Sequence, residues 1–234
     1  MKHRLWMGLA AVAWLAALGA CATEGRVENR LEEVLEARLG PAEEYQVDVD
    51  GLNAGTGVAE LVRAVGVRVQ PRNGPTLDRL EIEMRDARYD RDLRRLVGAE
   101  SVRATVWVRP NDLERFLERE ERVRSASVTL APPDRMRLRF RPELGLPIPL
   151  NVMAEFAGTI EGRGSELHFV VEEASAAGFD VDDDMADRLT RFINPIVDLS
   201  ELPLDLEVTS VTIENGALRV DATGDVTALE EGRR

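Results

Sequence analysis

The sequence predicts an α+β fold, a large curved antiparallel sheet packed around amphipathic helices. Three observations predict it. About nine or ten segments alternate apolar with charged or polar residues, the pattern of half-buried strands. Most are neighbours in sequence and are separated by short turn signals, which favours antiparallel pairing. Roughly three or four further segments carry apolar residues at helical spacing and supply cover for the sheet's apolar face. A curved sheet rolled round such a helix can leave a groove for an acyl chain.

The elements follow in order. Val27, Leu31, Val34, Leu35 and Leu39 predict a first helix, stopped by Gly40-Pro41. Tyr45, Val47 and Val49 alternate as a strand. After Gly55-Thr56-Gly57, the spacing of Val58, Leu61, Val62 and Val65 predicts a short, apolar second helix. Strands are expected around Leu77–Arg85 and Val102–Val108. Pro110 then marks a break, and Asn111 or Asp112 is placed to cap a helix carrying Leu113, Phe116 and Leu117. Further strands are expected at Ser125–Ala131, Arg135–Arg141, Ile148–Phe156 and Leu167–Val171. Met185, Leu189, Phe192, Ile193 and Ile196 fall on one helical face, which Pro195 kinks or ends near Asn194. Two closing strands, Leu204–Ile213 and Leu218–Ala222, flank Asn215-Gly216, a hairpin signal. No linker or change of composition interrupts residues 27–224, so one domain is expected there, with a flexible acidic tail at 225–234.

The amino terminus carries an address. Lys2-His3-Arg4, an apolar run from Leu5 to Leu18 and Gly19-Ala20 form the pattern of a secretory signal peptide over residues 1–20. The run is about 14 residues, short of the ~20 that span a bilayer. Cys21 is the only cysteine, and Leu18-Gly19-Ala20-Cys21 resembles the lipobox of bacterial lipoproteins. Read so, Cys21 becomes the lipidated first residue (palmitate-type chains), residues 21–26 are a tether, and the protein sits outside the cytoplasm on a bacterial membrane, at the periplasmic face or cell surface. Each buried methylene contributes about 0.8 kcal/mol to such anchoring. A structural thiol, or a plain signal peptide that happens to end near a cysteine, is the alternative.

Charge excludes some functions. The chain carries a net charge of −13, and Lys2 is its only lysine. An acidic surface repels nucleic acid, so phosphate recognition must come from locally clustered arginines. Arg135, Arg137, Arg139 and Arg141 project from one side of one strand. Such a stripe suits phosphate oxygens, or equally a solvated face paired with glutamates of neighbouring strands. His168, flanked by Leu167 and Phe169, reads as a surface or rim residue rather than a general base. There is no Gly-x-Ser-x-Gly elbow, His-Glu-x-x-His pair or P-loop, so neither a catalytic residue nor a cofactor is expected. Asp180, Asp182, Asp183 and Asp184 suit a helix start, and lack the glycine and distal glutamate of a calcium loop. Leu61, Val62, Val65, Phe116, Leu117, Leu189 and Phe192 are either core or the lining of a lipid cavity, since both obey the same transfer energetics.

One stretch carries a family resemblance. Phe192-Ile193-Asn194-Pro195-Ile196-Val197-Asp198-Leu199 is followed by Leu202-Pro203-Leu204, then by Leu206-Glu207-Val208-Thr209-Ser210-Val211 and the Asn215-Gly216 hairpin. This succession resembles the carboxy-terminal part of the LmeA-like phospholipid-binding family of bacterial envelope proteins. The strand Leu77-Asp78-Arg79-Leu80-Glu81-Ile82 and the strand-to-helix step Val108-Arg109-Pro110-Asn111-Asp112-Leu113 are similar to its layout, and the resemblance covers roughly 27–224. It implies phospholipid as partner, no established reaction, and similarity to tubular lipid-binding folds in which a curved sheet wraps a helix. The expectation is a membrane-anchored lipoprotein that binds or transfers phospholipid in an apolar groove. The alternative is a non-catalytic structural or interaction lipoprotein whose own side chains fill its core.

Overall fold

The computed structural model describes residues 25–53, 55–90, 95–119, 123–142, 153–176, 179–180, 190–191, 193–201 and 204–225. Helix α1 is described over 25–39. It ends at Gly40, whose φ of 99° and close approach to the Gln70 carbonyl (2.3 Å from a Cβ built there) require glycine. The strands β1 (Glu44–Asp50), β2 (Val58–Val69), β3 (Leu77–Asp90), β4 (Arg95–Gly98) and β5 (Ser101–Val108) follow. Helix α2 (Pro110–Glu118) leads into β6 (Val123–Ala131), β7 (Arg135–Pro142), β8 (Ala154–Arg163) and β9 (Glu166–Ala176). Two short strands, β10 (Phe179–Asp180) and β11 (Val197–Asp198), precede the closing hairpin of β12 (Asp205–Glu214) and β13 (Ala217–Asp225). Residues 190, 191 and 193 are helical.

All strand pairings are antiparallel. One sheet runs β1-β2-β3-β5-β13-β12, with β4 beside β3; the other runs β10-β9-β8-β7-β6, with β11 also on β9. One of the two curls into a half-barrel. The expected α+β class with a curved sheet therefore stands. The sheets meet where hairpin tips of the second reach the free edge of β12. Ile213 donates its N–H to the Pro133 carbonyl (2.6 Å) and Val208 donates to that of Gly164 (2.8 Å). The buried apolar residues of both sheets and both helices form one continuous core.

The predicted second helix is a strand. Val58, Leu61, Val62 and Val65 all lie on β2. Val62 is 1% exposed in the core, whereas Leu61 and Val65 are half-buried on the opposite face. The helical spacing arises because β2 and β3 each slip their in–out alternation. The buried pairs Ala59–Ala87, Val62–Met84, Ala64–Ile82, Gly66–Leu80 and Val69–Leu77 keep register but are separated by three residues at two places. One slip lies beside Arg68 (φ 56°) and the other beside Asp86 (φ 48°). A left-handed residue turns the strand, so a step of three replaces a step of two.

Both described helices blunt a sheet edge. The outer edge of β1 presents free amides, and Glu28 and Glu32 of α1 accept the N–H of Val49 (3.0 Å) and Val47 (3.2 Å). On the other sheet, Glu114 and Glu118 of α2 accept the N–H of Val128 (2.8 Å) and Ala126 (3.0 Å) of β6. In each case two glutamates one helical turn apart reach alternate strand amides, which removes the free pairing edge. Asn194 does the same on β9, exchanging two hydrogen bonds with the backbone of Phe169 (2.7 and 2.9 Å).

Candidate functional site

The second sheet has two unlike faces, and β7 shows both. Met136, Leu138 and Phe140 point into the core; Arg135, Arg137 and Arg139 point out. Arg135 pairs with Glu172 (2.6 Å), Arg137 with Glu155, and Arg139 with Glu155 (2.8 Å). Arg139 first, then Arg137, holds the Glu155 carboxyl below the usual carboxylate range by hydrogen bonding. Three of the four stripe arginines are thus satisfied by carboxylates. Arg141 differs: it is half-buried, and its Nε is buried with no hydrogen-bond partner.

The inner face is built in cross-strand rows. Leu130, Met136, Gly158 and Val171 form one, and Val128, Leu138, Phe156 and Ala174 the next. The last row that crosses β6, β7, β8 and β9 is Ala126–Phe140–Ala154–Ala176, which β10 extends with Phe179. Phe140 stacks on Phe156 with ring centroids 5.5 Å apart. Ala126, Ala174 and Ala176 are only half-buried, and Met153, just before β8, is 43% exposed. The sheet therefore ends in an apolar rim where half-exposed alanines flank the buried Phe140 and Ala154, and Arg141 follows Phe140 at that rim.

A second polar cluster clasps α2 to the first sheet. Asp112 is 3% exposed and accepts two hydrogen bonds from Arg68 (2.6 and 2.8 Å), whose guanidinium is thereby held charged. Arg68 also meets Asp78 at 3.5 Å, and Arg109 meets Asp78 at 2.9 Å. The capping role expected of Asn111 or Asp112 is corrected: the helix begins at Pro110, Arg109 is its N-cap with no side-chain cap bond, and the Asp112 carboxylate is taken by Arg68. Nearby, an open cleft of about 400 Å³ is lined by Trp107, Arg109, Asn111, Glu214 and Asn215, among others. Its mixed polar wall is unlike an acyl groove.

A family model described as LmeA-like phospholipid-binding matches residues 20–223. The chain belongs to this family. Neither a curated protein nor a solved structure matches it. The LmeA-like family is a lipid-binding one and not a known catalytic one. Within this LmeA-like chain the apolar residues singled out from sequence are not gathered in one place. Val62 is core, Leu61 and Val65 face outward, Leu117 is buried on α2, and Phe116 is half-buried under the Arg119 guanidinium, 5.3 Å from its ring centroid. Cys21, Leu189, Phe192 and Asp182–Asp184 lie outside the described residues. His168 is half-buried, with Nε2 2.7 Å from the Glu166 carboxylate. Among the described residues no cluster of three or more His, Cys, Asp or Glu side chains is disposed to hold a metal. Sequence reading missed the Arg68–Asp112 clasp and the alanine rim. The glutamate edge caps had a visible signal, since Glu28-x-x-x-Glu32 and Glu114-x-x-x-Glu118 each precede the strand they cover.

Proposed function

We propose that this protein is a membrane-anchored envelope lipoprotein that takes phospholipid into the apolar side of its curved sheet and transfers it. The observation that carries this reading is the family match over 20–223 in a chain whose sheets are apolar within and charged without. The sequence around Cys21 supports an acyl anchor on the outer side of a bacterial membrane, so delivery works within reach of that anchor. The acyl chains are sheltered by the apolar face of the second sheet. The protein performs no reaction on the lipid; it lowers the cost of moving hydrocarbon through water.

The test uses the Cys21→Ser protein, purified without detergent and weighed intact by native mass spectrometry. Copurified phospholipid at a fixed stoichiometry is expected, as is exchange of fluorescent phospholipid between vesicles. Lipid-free protein that extracts none from vesicles would favour instead a structural lipoprotein with a self-filled core. In cells, metabolic labelling with a palmitate analogue is expected to mark the wild type and not Cys21→Ser.

A further inference from the structure

We propose that Arg141 is the phosphate-binding residue of the lipid site and that the phospholipid sits across the alanine rim of the second sheet, an inference that rests on the carrier reading above. Two independent observations meet there. The first is electrostatic. A guanidinium carries five donors and no acceptor, and a buried donor without a partner costs free energy. Arg135, Arg137 and Arg139 spend theirs on Glu172 and Glu155, while the Arg141 Nε is buried and unmatched. An ordered acceptor that comes and goes explains such an orphan. A phosphate, whose oxygens fit the arginine fork, is the acceptor of that kind which a phospholipid brings.

The second observation is apolar and lies at the same end of the sheet. The row Ala126–Phe140–Ala154–Ala176 is the last that crosses all four strands, and Arg141 follows Phe140 where β6 and β7 alone continue. Phe140 and Ala154 are buried at the middle of that row, while Ala126, Ala174, Ala176 and Met153 around them retain exposure. An amphiphile needs a cation for its head and an apolar surface for its tails within one lipid length. The rim offers both, whereas the cleft near Trp107 offers polar groups whose charges are already paired, Asp78 with Arg109 and Glu214 with Arg219.

The experiment compares phosphatidylglycerol, diacylglycerol and inorganic phosphate as ligands of the Cys21→Ser protein, with Arg141→Gln, Arg135→Gln and Ala176→Phe as variants. Arg141→Gln is expected to weaken phosphatidylglycerol binding by about ten- to a hundred-fold, the range of a charge-assisted hydrogen bond, and to leave diacylglycerol binding unchanged. Its melting temperature without lipid should not fall, because the lost donor had no partner. Arg135→Gln should leave both lipids unaffected, and Ala176→Phe should weaken both. If wild type binds phosphatidylglycerol and Arg141→Gln binds it equally well, the proposal is overturned while the carrier reading stands. Equal loss of both lipids in Arg141→Gln also overturns it, since a phosphate contact cannot act on diacylglycerol. So does inorganic phosphate displacing the lipid at matched concentration, which would assign Arg141 to a free anion. A wild type that takes up neither lipid removes the carrier reading and this proposal together.

Discussion

Helices α1 and α2 do the same job on the two sheets but are tied down differently. Each lays a glutamate pair along the first strand of a sheet, Glu28 and Glu32 on β1, Glu114 and Glu118 on β6. There the likeness stops. Among the described residues the polar ties of α1 reach the first sheet and not the second, and it closes on Gly40, whose carbonyl accepts the Tyr45 hydroxyl at 2.9 Å. Burial, and secondarily the charge of Glu36, pushes that phenol up to about 12, so it stays a donor across the neutral range. Helix α2 holds both sheets at once: its glutamates serve β6, while its Asp112 grips Arg68 on β2. One helix is a cover and the other a clasp. The difference comes from a single buried carboxylate and the left-handed turn at Arg68 that aims the guanidinium at it.

The sharpest way to break that comparison is Arg68→Met. It leaves the buried Asp112 carboxylate with only the longer contact to the exposed Arg115 (3.5 Å), a loss that approaches the roughly 3–5 kcal/mol of a broken buried pair. Both residues tolerate the same backbone angle equally, so the loss reports the pair and not strain. Chemical denaturation should show the drop, and hydrogen exchange should show amides of both sheets opening together. Glu32→Ala and Glu114→Ala come next, at about 1–2 kcal/mol each, because each strips an acceptor from a partly buried amide. Their exchange signatures should differ from the first: Val47 alone for Glu32→Ala, Val128 for Glu114→Ala. An Arg68→Met protein no less stable than Glu32→Ala would reduce the clasp to a second cover.

The sequence carried much of this and hid the rest for identifiable reasons. The alternation of β1, β5, β7 and β13 and the Asn215-Gly216 turn were legible because each strand there keeps strict period two against one core. At β2 the same rule failed, since two left-handed residues, Arg68 on β2 and Asp86 on β3, inserted three-residue steps into the pair. The run of Val58, Val62, Val65, Val67 and Val69 was the contrary signal, because β-branched residues fit a pleated surface better than a helix. The arginine stripe was legible as a stripe. Which of its members is spare was not, because Glu172 stands on β9 and reaches Arg135 across β8, a distance in sequence no local pattern spans. The Asp112 clasp was equally invisible: an acid in the first turn of a helix looks like a cap until a partner 44 residues away claims it.

The smallest expected effect lies on the outer face of the second sheet, and it bears on the largest question. Arg139 and Arg137 lower the Glu155 pKa in the folded chain. A depressed carboxyl stabilises the fold above its unfolded value of about 4, and that contribution fades as pH falls through the lower folded value. The window is therefore acidic, and at neutral pH the stability should be flat with respect to this group. The stripe is solvent-facing and screened by salt, so the titration itself is the better readout. In a carbon-detected pH titration Glu155 should show a midpoint below ordinary glutamate, Arg139→Gln should raise it, and Arg135→Gln should leave it in place. A Glu155 that titrates like a free glutamate would mean that Arg137 and Arg139 are not engaged in solution. The contrast between three occupied arginines and one spare one would then vanish, and all four would be equal candidates for a phosphate.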